Sequence, residues 1–381
     1  MNFNLTDEQA ILQQTVRRFA TEVVAPGAIE RDETKTWPTD IVRQLGEMGL
    51  MGMMVPEQWG GAGMDTIAYT LAVEELSRAE AALTVIMGVN NSLVCGLLDK
   101  YGSDPQKEKY LTPLARGEQL GAFSLSEPHA GSDATQLRCR AVRDGDEYRI
   151  TGTKNWVSNG ISSDLVILFA VTDSVKKHPG TSCFIVEKGL DGFTSGKPED
   201  KLGIRASDTC ELYFDDVRVP AANRIGKEGE GIHMALAILD GGRISIAAQA
   251  LGIAQSALDH SLVYSRERVQ FGKPIGEFQA IQFKLADMAI EIEAARLLVR
   301  QAAFTKDQGQ PFGHLSAMAK VFCSETAMRA ATQCVQIHGG YGYIRETGVE
   351  RLMRDAKITQ IYEGTSEIQR VVIARALQKQ G

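Results

Sequence analysis

The sequence lacks the features of a membrane or exported protein. None of its uninterrupted apolar runs approaches the roughly 20 residues that cross a bilayer. The first ten residues, MNFNLTDEQA, have neither the basic start nor the apolar segment of a secretion signal, and they are too acidic for a transit peptide. We therefore expect a cytoplasmic protein without a membrane span.

Cysteine and histidine are few and scattered among the 381 residues. No two cysteines form a C-x-x-C pair, and the six histidines form no H-E-x-x-H motif or cluster with cysteine. The sequence therefore predicts no metal site, and it predicts free thiols in a reducing compartment. The six cysteines are Cys95, Cys139, Cys183, Cys210, Cys323 and Cys334.

Excess basic charge and the common nucleotide-binding motifs are also missing. The formal net charge of −7 argues against a nucleic-acid partner, although a few local cations can still hold a phosphate. There is no G-x-G-x-x-G after a strand, no Walker A motif and no G-x-S-x-G elbow. The stretch HGGYGYIRE is superficially like an esterase oxyanion loop, but it follows a helix and has no accompanying nucleophile motif. A cofactor would therefore sit between helical and β parts of the chain.

What the sequence does contain divides into three zones. Residues 1–120 and 226–381 have the apolar spacing of helices, whereas residues 121–225 consist of short segments rich in Val, Ile and aromatics. Strands that do not alternate with helices argue against a doubly wound α/β fold. The predicted class is α+β and multidomain, with an N-terminal α-helical domain, a middle β-barrel domain and a C-terminal four-helix bundle.

Local signals refine these zones. Thr6 and Gln9 predict a capping box at the first helix, and the Asp-Gly pair at 144–145 predicts a hairpin turn. The apolar stretch EAALTVIMGVNNSLVCGLL predicts a buried helix, within which Asn90 and Asn91 need polar partners.

The last helix has its own start signal. Ser366 and Gln369 predict a capping box, so the helix is expected to begin just after Thr365. Glu363 precedes that helix and is too early to be its N-cap. Taken alone, this glutamate would be an exposed loop charge.

Two polar segments lie in the middle zone. AFSLSEPHAGSDA is either a solvated loop or a loop whose hydroxyls face a polar heterocycle or phosphate. In KNWVSNG, Trp156 and Ser158 fall on one face of a strand, where the indole either packs in a core or walls a flat ring. The polar side chains of the first segment are Ser124, Ser126, Ser132 and Asp133.

The motifs LSEPHAGSD, KNWVSNG, RVQFGKPIGEFQAIQ, QIHGGYGY and IYEGTSEIQ together resemble the signatures of the acyl-CoA dehydrogenase family. All five occur in family order, and the resemblance extends over the whole chain. It implies an α domain, a β-barrel and a C-terminal bundle, with FAD between the barrel and the bundle. It also implies an acyl-CoA substrate, an electron-transfer flavoprotein as electron acceptor, and a homotetramer.

The resemblance assigns FAD contacts residue by residue. Phe123, Leu125 and Ser126 would meet the isoalloxazine, Trp156 would pack on the ring, and Ser158 would bond near N5. Arg268 would reach a neighbouring subunit's pyrophosphate, for which a guanidinium fork is suited. The remaining implied cofactor contacts are Ser132, Gln270, Phe271, Phe278, Gln279, Gln336, Gly339, Gly340, Thr365 and Glu367.

The resemblance also assigns the substrate contacts and the base. Dehydrogenation of a thioester needs a carboxylate to remove the α-proton, and apolar burial would raise the carboxylate pKa into a useful range. Glu363 matches the family's base. One group of relatives has its base at the position of Gly242, where glycine cannot act. The implied substrate contacts are Ser132, Asp240, Arg243 and Gly364, whereas His338 is expected to pack or to orient the cofactor.

The acyl group is the least determined feature. The polar interruption in residues 87–96 resembles that of short-chain members and favours a chain such as butyryl, but branched, cyclic or dicarboxylic acyl groups stay open. Two other hypotheses keep the same fold. One is an oxygen-using flavoenzyme, against which the short chain counts. The other is a catalytically silent flavin-binding scaffold, against which the presence of Glu363 and the flavin motifs counts.

Overall fold

The computed structural model describes residues 4–173 and 180–379. Helices occupy the chain up to the first strand, as predicted. The side chains of Thr6 and Gln9 each accept the other's backbone N–H, at 3.1 and 3.2 Å, which confirms the first capping box. The helices of this part are α1 Asp7–Phe19, α2 Ala28–Thr34, α3 Thr39–Glu47, α4 Thr66–Ala79, α5 Ala81–Gly88, α6 Gly96–Tyr101, α7 Asp104–Gln106 and α8 Thr112–Ala115.

A widened helical segment, Val89–Cys95, joins α5 to α6 and is wholly buried. Its polar side chains have the partners that burial requires. Asn91 Oδ1 accepts the Met53 N–H at 2.8 Å, and Asn91 Nδ2 donates to the carbonyls of Leu50 and Met87. Asn90 Oδ1 accepts the N–H of Gly121 in the first strand at 3.0 Å. The asparagines therefore attach this segment to the chain on both sides of it.

The middle part is an eight-stranded sheet within the described residues, in the order β6-β7-β3-β2-β4-β5-β8, with β1 pairing in parallel with β4. The β2–β3 pairing reaches Asp144 opposite Glu147, and Gly145 has φ 62°, which confirms the predicted hairpin turn. The strands are β1 Gly121–Ser124, β2 Arg140–Asp144, β3 Glu147–Ser158, β4 Leu165–Asp173, β5 Gly180–Glu187, β6 Phe193–Ser195, β7 Thr209–Pro220 and β8 Arg224–Ile225.

Both faces of the central strands are buried, which explains why LVILFAV is apolar throughout. In β4, Ile167 and Phe169 join the large core formed with the helices, whereas Val166 and Leu168 join a second core. That second core contains side chains from β1 to β5 and from β7, so the sheet curls around it. This arrangement agrees with the predicted barrel.

The C-terminal part consists of helices, with a small hairpin between α9 and α10. The four predicted helices are present, and a further one, α12, was missed by the sequence interpretation. The elements are α9 Gly231–Glu267, β9 Val269–Gln270, β10 Lys273–Pro274, α10 Gln279–Asp307, α11 Gly313–His338, α12 Val349–Thr359 and α13 Ser366–Gln378. Helix α11 packs mainly on α9 and also contacts α10, α12 and α13. The domain boundaries at 120/121 and 225/226 stay predictions.

Within the described residues, two helical segments, Ala81–Tyr101 and Gly231–Glu267, are long and apolar enough to cross a membrane by length and composition alone. However, 89% and 72% of their apolar windows are buried inside the protein. Helices that are apolar all round and buried in this way are typical of a large core.

The buried asparagine attachment leads to a stability prediction. Replacing Asn91 by Ala removes the side chain that accepts the buried Met53 N–H and donates to two carbonyls, so we expect a loss of about 3 kcal/mol in the free energy of unfolding. Urea unfolding followed by circular dichroism measures this loss. Gln14→Ala, at an exposed position of α1, is the matched control and should leave the midpoint unchanged. Equal midpoints for Asn91→Ala and wild type would contradict the assignment.

Candidate active site

Glu363 lies in a tight turn between α12 and α13. Its φ is 51° and that of Gly364 is 91°, so two consecutive residues adopt the left-handed region, which is unfavourable for a glutamate. Gln369 Nε2 donates to the carbonyls of Glu363 and Gly364 at 3.0 and 2.9 Å. Lys320 Nζ donates to the carbonyl of Gly364 at 2.8 Å. These three hydrogen bonds hold the strained turn in place.

The predicted cap of α13 is wrong in one respect. Thr365, and not Ser366, is the N-cap, because the Thr365 hydroxyl accepts the Ile368 N–H at 3.3 Å. Ser366 is the first helical residue and Gln369 turns back to the carbonyls of the preceding turn. The helix still begins just after Thr365, and Glu363 lies outside its N-cap, as predicted.

The carboxylate of Glu363 has an unusual environment. Its Oε2 is buried and finds no hydrogen-bond partner among the described residues, although the residue as a whole is half-buried. Burial raises the pKa of Glu363 to about 7, against the opposing charges of Lys320 and Arg243. A carboxylate with a pKa near neutrality can both accept and hold a proton at physiological pH.

Gly242 faces this carboxylate from the middle of α9. A Cβ at that position would overlap Glu363 Oε2 and would lie 2.9 Å from Leu93 Cδ2. The glycine therefore leaves the space that the carboxylate occupies. A side chain at position 242 would therefore enter the space that the Glu363 carboxylate occupies.

Two of the predicted substrate-contacting residues lie one turn apart in the same helix. Arg243 is buried and forms an ion pair with Asp240. Burial raises the pKa of Asp240, and the Arg243 guanidinium opposes that rise. The structure therefore places Asp240, Arg243, Gly364 and Glu363 in one region of the molecule.

The Val89–Cys95 segment connects this region to the sheet. On one side, Leu93 lies against Gly242. On the other side, Val94 packs so closely on β1 that a Cβ on Gly121 would be 2.6 Å from Val94 Cγ1. A single buried segment thus separates the carboxylate from the strand that leads to the predicted flavin-contacting residues.

Those flavin-contacting residues form a second group, on the sheet. The Asn155 N–H donates to Ser126 O at 2.9 Å, and Lys154 Nζ donates to Leu125 O at 3.0 Å, so the loop after β1 is attached to β3. Trp156 lies at a bulge with φ 60°, and 63% of its surface is exposed. An exposed indole in a strained conformation is costly in a solvated surface.

The remaining residues of this group have different degrees of exposure. Val157 is buried in the sheet core, whereas Trp156 is exposed and Ser158 is half-buried. The bulge at Trp156 interrupts the alternation of the strand, so the shared face of Trp156 and Ser158 stays a prediction. The Phe123 ring packs at 5.0 Å on Phe169 and is half-buried. Ser132 lies on an exposed turn.

A groove of about 440 Å³ opens beside the end of α11. The Arg268 guanidinium lies 5.6 Å from the centre of the Tyr341 ring in this groove. A Cβ on Gly339 or Gly340 would meet no atom within 4 Å, so open space surrounds this glycine turn. The groove is lined by Tyr264, Arg268, Gln270, Ile275, Ile337, His338, Gly339, Gly340, Tyr341 and Ile344.

His338 is a packed side chain. Its ring stacks on Tyr264 with centroids 4.2 Å apart, and its Nδ1 lies 2.8 Å from Cys334 O. Burial lowers the pKa of His338, so the imidazole is neutral at physiological pH. This environment suits a structural role.

The other predicted cofactor contacts lie at the surface of the monomer. Phe271, at the tip of the β9–β10 hairpin, is 95% exposed with φ 53° and meets Phe278 edge to face. The ring of Phe271 is therefore available for a contact outside the hairpin. The further exposed positions are Gln279, Gln336 and Glu367.

These residues fit a flavin dinucleotide. The exposed indole of Trp156 offers a face for a flat ring, and the open Gly339–Gly340 turn beside Arg268 can admit a phosphate-bearing chain. The region around the Glu363 carboxylate and the strand β1 both pack on the buried Val89–Cys95 segment.

Comparison with known proteins identifies the family. The N-terminal, middle and C-terminal domain profiles of acyl-CoA dehydrogenase match residues 6–118, 122–217 and 229–378. The chain belongs to the acyl-CoA dehydrogenase family. It is therefore an oxidoreductase that dehydrogenates acyl-CoA thioesters, and membership implies a flavin cofactor.

Individual relatives cover nearly the full length. A short-chain-specific acyl-CoA dehydrogenase of Clostridium acetobutylicum is 49% identical over 374 residues, with 98% of this chain and 99% of the relative covered. The structure of butyryl-CoA dehydrogenase from Megasphaera elsdenii superposes with a TM-score of 0.97 at 47% identity, covering 99% and 100% of the two chains. A chain from work on the electron transferring flavoprotein of Acidaminococcus fermentans superposes with a TM-score of 0.98 at 48% identity, covering 99% of each.

The sequence interpretation missed three residues that surround the carboxylate. Lys320 and Gln369 hold its turn, and Tyr69 is a buried phenol whose pKa is raised by burial and, to a smaller extent, by the Glu363 charge. One signal was available: Lys320 stands on the alanine-rich face of a helix, in HLSAMAKVFCSE, where a lysine is rarely found without a function.

The space beside Gly242 leads to a prediction. Gly242→Ala would displace the Glu363 carboxylate, so we expect kcat/KM for an acyl-CoA to fall by about 100-fold or more, because small displacements of a reacting group are this costly. The matched control is Gly241→Ala, whose Cβ would meet only Lys306 Cε at 3.8 Å. Steady-state assays of both variants test this. Comparable activity of the two would contradict the predicted overlap.

Proposed function

We propose that this protein is an FAD-dependent dehydrogenase of short-chain acyl-CoA thioesters and that Glu363 is its catalytic base. The observation that carries the proposal is the unpaired, buried Oε2 of Glu363, with a pKa of about 7, facing the gap left by Gly242. Family membership supports the reaction class, and the geometry supports the assignment of the base within it.

The carboxylate is suited to removing the α-proton of a thioester. The proton transfers to Glu363, which becomes neutral, and a neutral carboxyl is the form that its buried position favours. The charge that leaves the carboxylate moves to the thioester oxygen, where hydrogen-bond donors stabilise it. The left-handed turn fixes the direction of the carboxylate, since its two carbonyls are held by Lys320 and Gln369.

We assign FAD to the two groups of residues described above. Trp156, Ser158 and the Phe123–Ser126 loop would hold the ring system, and Arg268 with the Gly339–Gly340 turn would hold the phosphate-bearing part. When bound, FAD supplies the acceptor for the β-hydrogen, which leaves as a hydride. The exposed hairpin at Phe271 supports a contribution from a neighbouring subunit, in keeping with a homotetramer. We place Gln270, Phe278, Gln279, Gln336, Thr365 and Glu367 in the same cofactor site.

The short acyl chain is proposed on two grounds. The relatives described as short-chain specific and as butyryl-CoA dehydrogenase are close to half identical to this chain over nearly all its length. In addition, Ser245 lies in α9 about one turn after Gly242. Its hydroxyl forms a hydrogen bond of 2.7 Å with the Tyr69 hydroxyl, and both groups lie beside Gly88. Two bulky or polar groups so near the base leave little depth for a long chain.

An electron-transfer flavoprotein is the proposed acceptor, and the cytoplasm is the proposed location. The structural similarity to a chain from work on such a flavoprotein supports the acceptor.

The assignment of the base is tested by Glu363→Gln. The amide keeps the shape of the side chain but cannot accept a proton, so we expect FAD to stay bound and the rate of flavin bleaching by butyryl-CoA to fall by about 1,000-fold. Anaerobic stopped-flow absorbance measures the rate, and the flavin spectrum of the purified variant is the control for binding. Near-normal turnover in this variant would refute the base. A wild-type protein that purifies without flavin would contradict both the dehydrogenase and the oxidase hypotheses.

The acyl group is tested by an anaerobic bleaching panel. We expect the largest kcat/KM for butyryl-CoA, with a decrease of about 10-fold or more for octanoyl-CoA, because each buried methylene without a matching pocket weakens transition-state binding. Isobutyryl-CoA, a cyclic acyl-CoA and glutaryl-CoA complete the panel. A maximum for any of these three would replace the proposed substrate without affecting the role of Glu363. Rapid reoxidation by oxygen would instead indicate an oxidase.

A further inference from the structure

We propose that Lys320 is a positioning residue for the catalytic base, holding the Glu363–Gly364 turn and supplying the positive charge that keeps the Glu363 carboxylate ionised between turnovers. This inference rests on the proposed role of Glu363. Lys320 itself is not one of the predicted cofactor or substrate contacts.

Lys320 is a buried cation with a backbone partner. Its side chain is fully buried, at 0% exposure, on the face of α11 that packs into the helical core. Its Nζ donates to the carbonyl of Gly364 at 2.8 Å. A buried ammonium is expensive unless it is hydrogen-bonded and has an opposite charge nearby, so its position requires an explanation. The adjacent carboxylate of Glu363 provides the opposite charge.

The carbonyl that Lys320 holds belongs to the most strained part of the turn. Glu363 and Gly364 both have positive φ, and a non-glycine residue persists there only when its surroundings hold it. Gln369 supplies two of the three restraining hydrogen bonds and Lys320 supplies the third. The backbone function is therefore shared between the two side chains.

The charge function is not shared in this way. Gln369 is neutral, and Arg243 is already ion-paired with Asp240 in the same helix. Burial lowers the pKa of Lys320 to about 8, against the raising effect of the Glu363 charge, so the ammonium is mostly protonated at neutral pH. The lysine and the glutamate therefore stabilise each other's charged forms.

Other charged or titratable groups surround this pair and affect its ionisation. Asp240 faces Arg243 from the same helix. Tyr69 from α4 and Tyr362 from the turn itself both have raised pKa values, mainly through burial, and remain neutral at physiological pH. The charges that act on Lys320 are those of Glu363, Arg243 and Glu367, and the cations that act on Glu363 are Lys320 and Arg243.

The pH dependence of kcat/KM for butyryl-CoA tests the inference, because it follows the ionisation of the free enzyme. The base must be deprotonated, so the wild-type activity should rise with pH through an apparent pKa near 7. In Lys320→Met the missing cation favours the neutral carboxyl. The rising part of the pH–activity profile, its acid limb, should therefore move to higher pH by about one pH unit. Lys320→Arg retains the charge and should leave the limb near its wild-type position.

Gln369→Leu separates the two functions. It removes two hydrogen bonds to the turn but no charge, so kcat should fall while the pH limb stays in place. A direct readout that does not depend on turnover is the infrared band of the protonated carboxyl, which should titrate at higher pH in Lys320→Met and be absent from Glu363→Gln. Flavin content and thermal midpoint report whether each variant is folded.

The inference would be overturned if Lys320→Met had the same acid limb of kcat/KM and the same infrared titration of the carboxyl as wild type. That result would leave the role of Glu363 intact. If Lys320→Met does not fold, Lys320→Arg decides, since a limb displaced upward despite the retained charge would also overturn it. Near-normal turnover of Glu363→Gln is a different result, which removes the proposed function itself.

Discussion

The structure depends on keeping one carboxylate out of water while it remains able to ionise. Burial alone would leave Glu363 neutral, and full exposure would make it a weak base. The protein resolves this conflict by placing the carboxylate on a strained turn, against a glycine, with two cations nearby. The result is a pKa of about 7, which suits the proposed role of Glu363 as a base.

The rest of the fold positions this carboxylate relative to the sheet. Helix α9 passes unbroken through Gly241 and Gly242, so the gap for the carboxylate lies in a continuous, rigid element. The Val89–Cys95 segment packs on that helix with Leu93 and on β1 with Val94. Its asparagines satisfy backbone groups on both sides. A displacement of either domain would therefore have to break buried hydrogen bonds, which explains how two distant groups of residues keep a fixed separation.

Much of the fold was predictable because it depends on local patterns. Apolar spacing placed the helices and strands, the capping box at Thr6 marked the first helix, and the polar interruption at Asn90 correctly indicated buried partners. The errors were also local. Helix α12 was missed because it is short and lies between a glycine-rich turn and the turn that contains Glu363 and Gly364. Thr365 took the cap expected of Ser366, since both are hydroxyl residues and only the backbone conformation distinguishes them.

By itself, the sequence determined the order of the three structural zones, the family motifs and the identity of the candidate base, because all of these are carried by residue types at fixed spacing. Only the tertiary structure decided what makes that base usable. Lys320, Gln369 and Gly242 lie 43, 6 and 121 positions away from Glu363 along the chain. Lys320 lowers the pKa of its carboxyl by charge, Gln369 holds its turn and Gly242 leaves it space, and all three effects arise only when α9, α11 and the turn pack together.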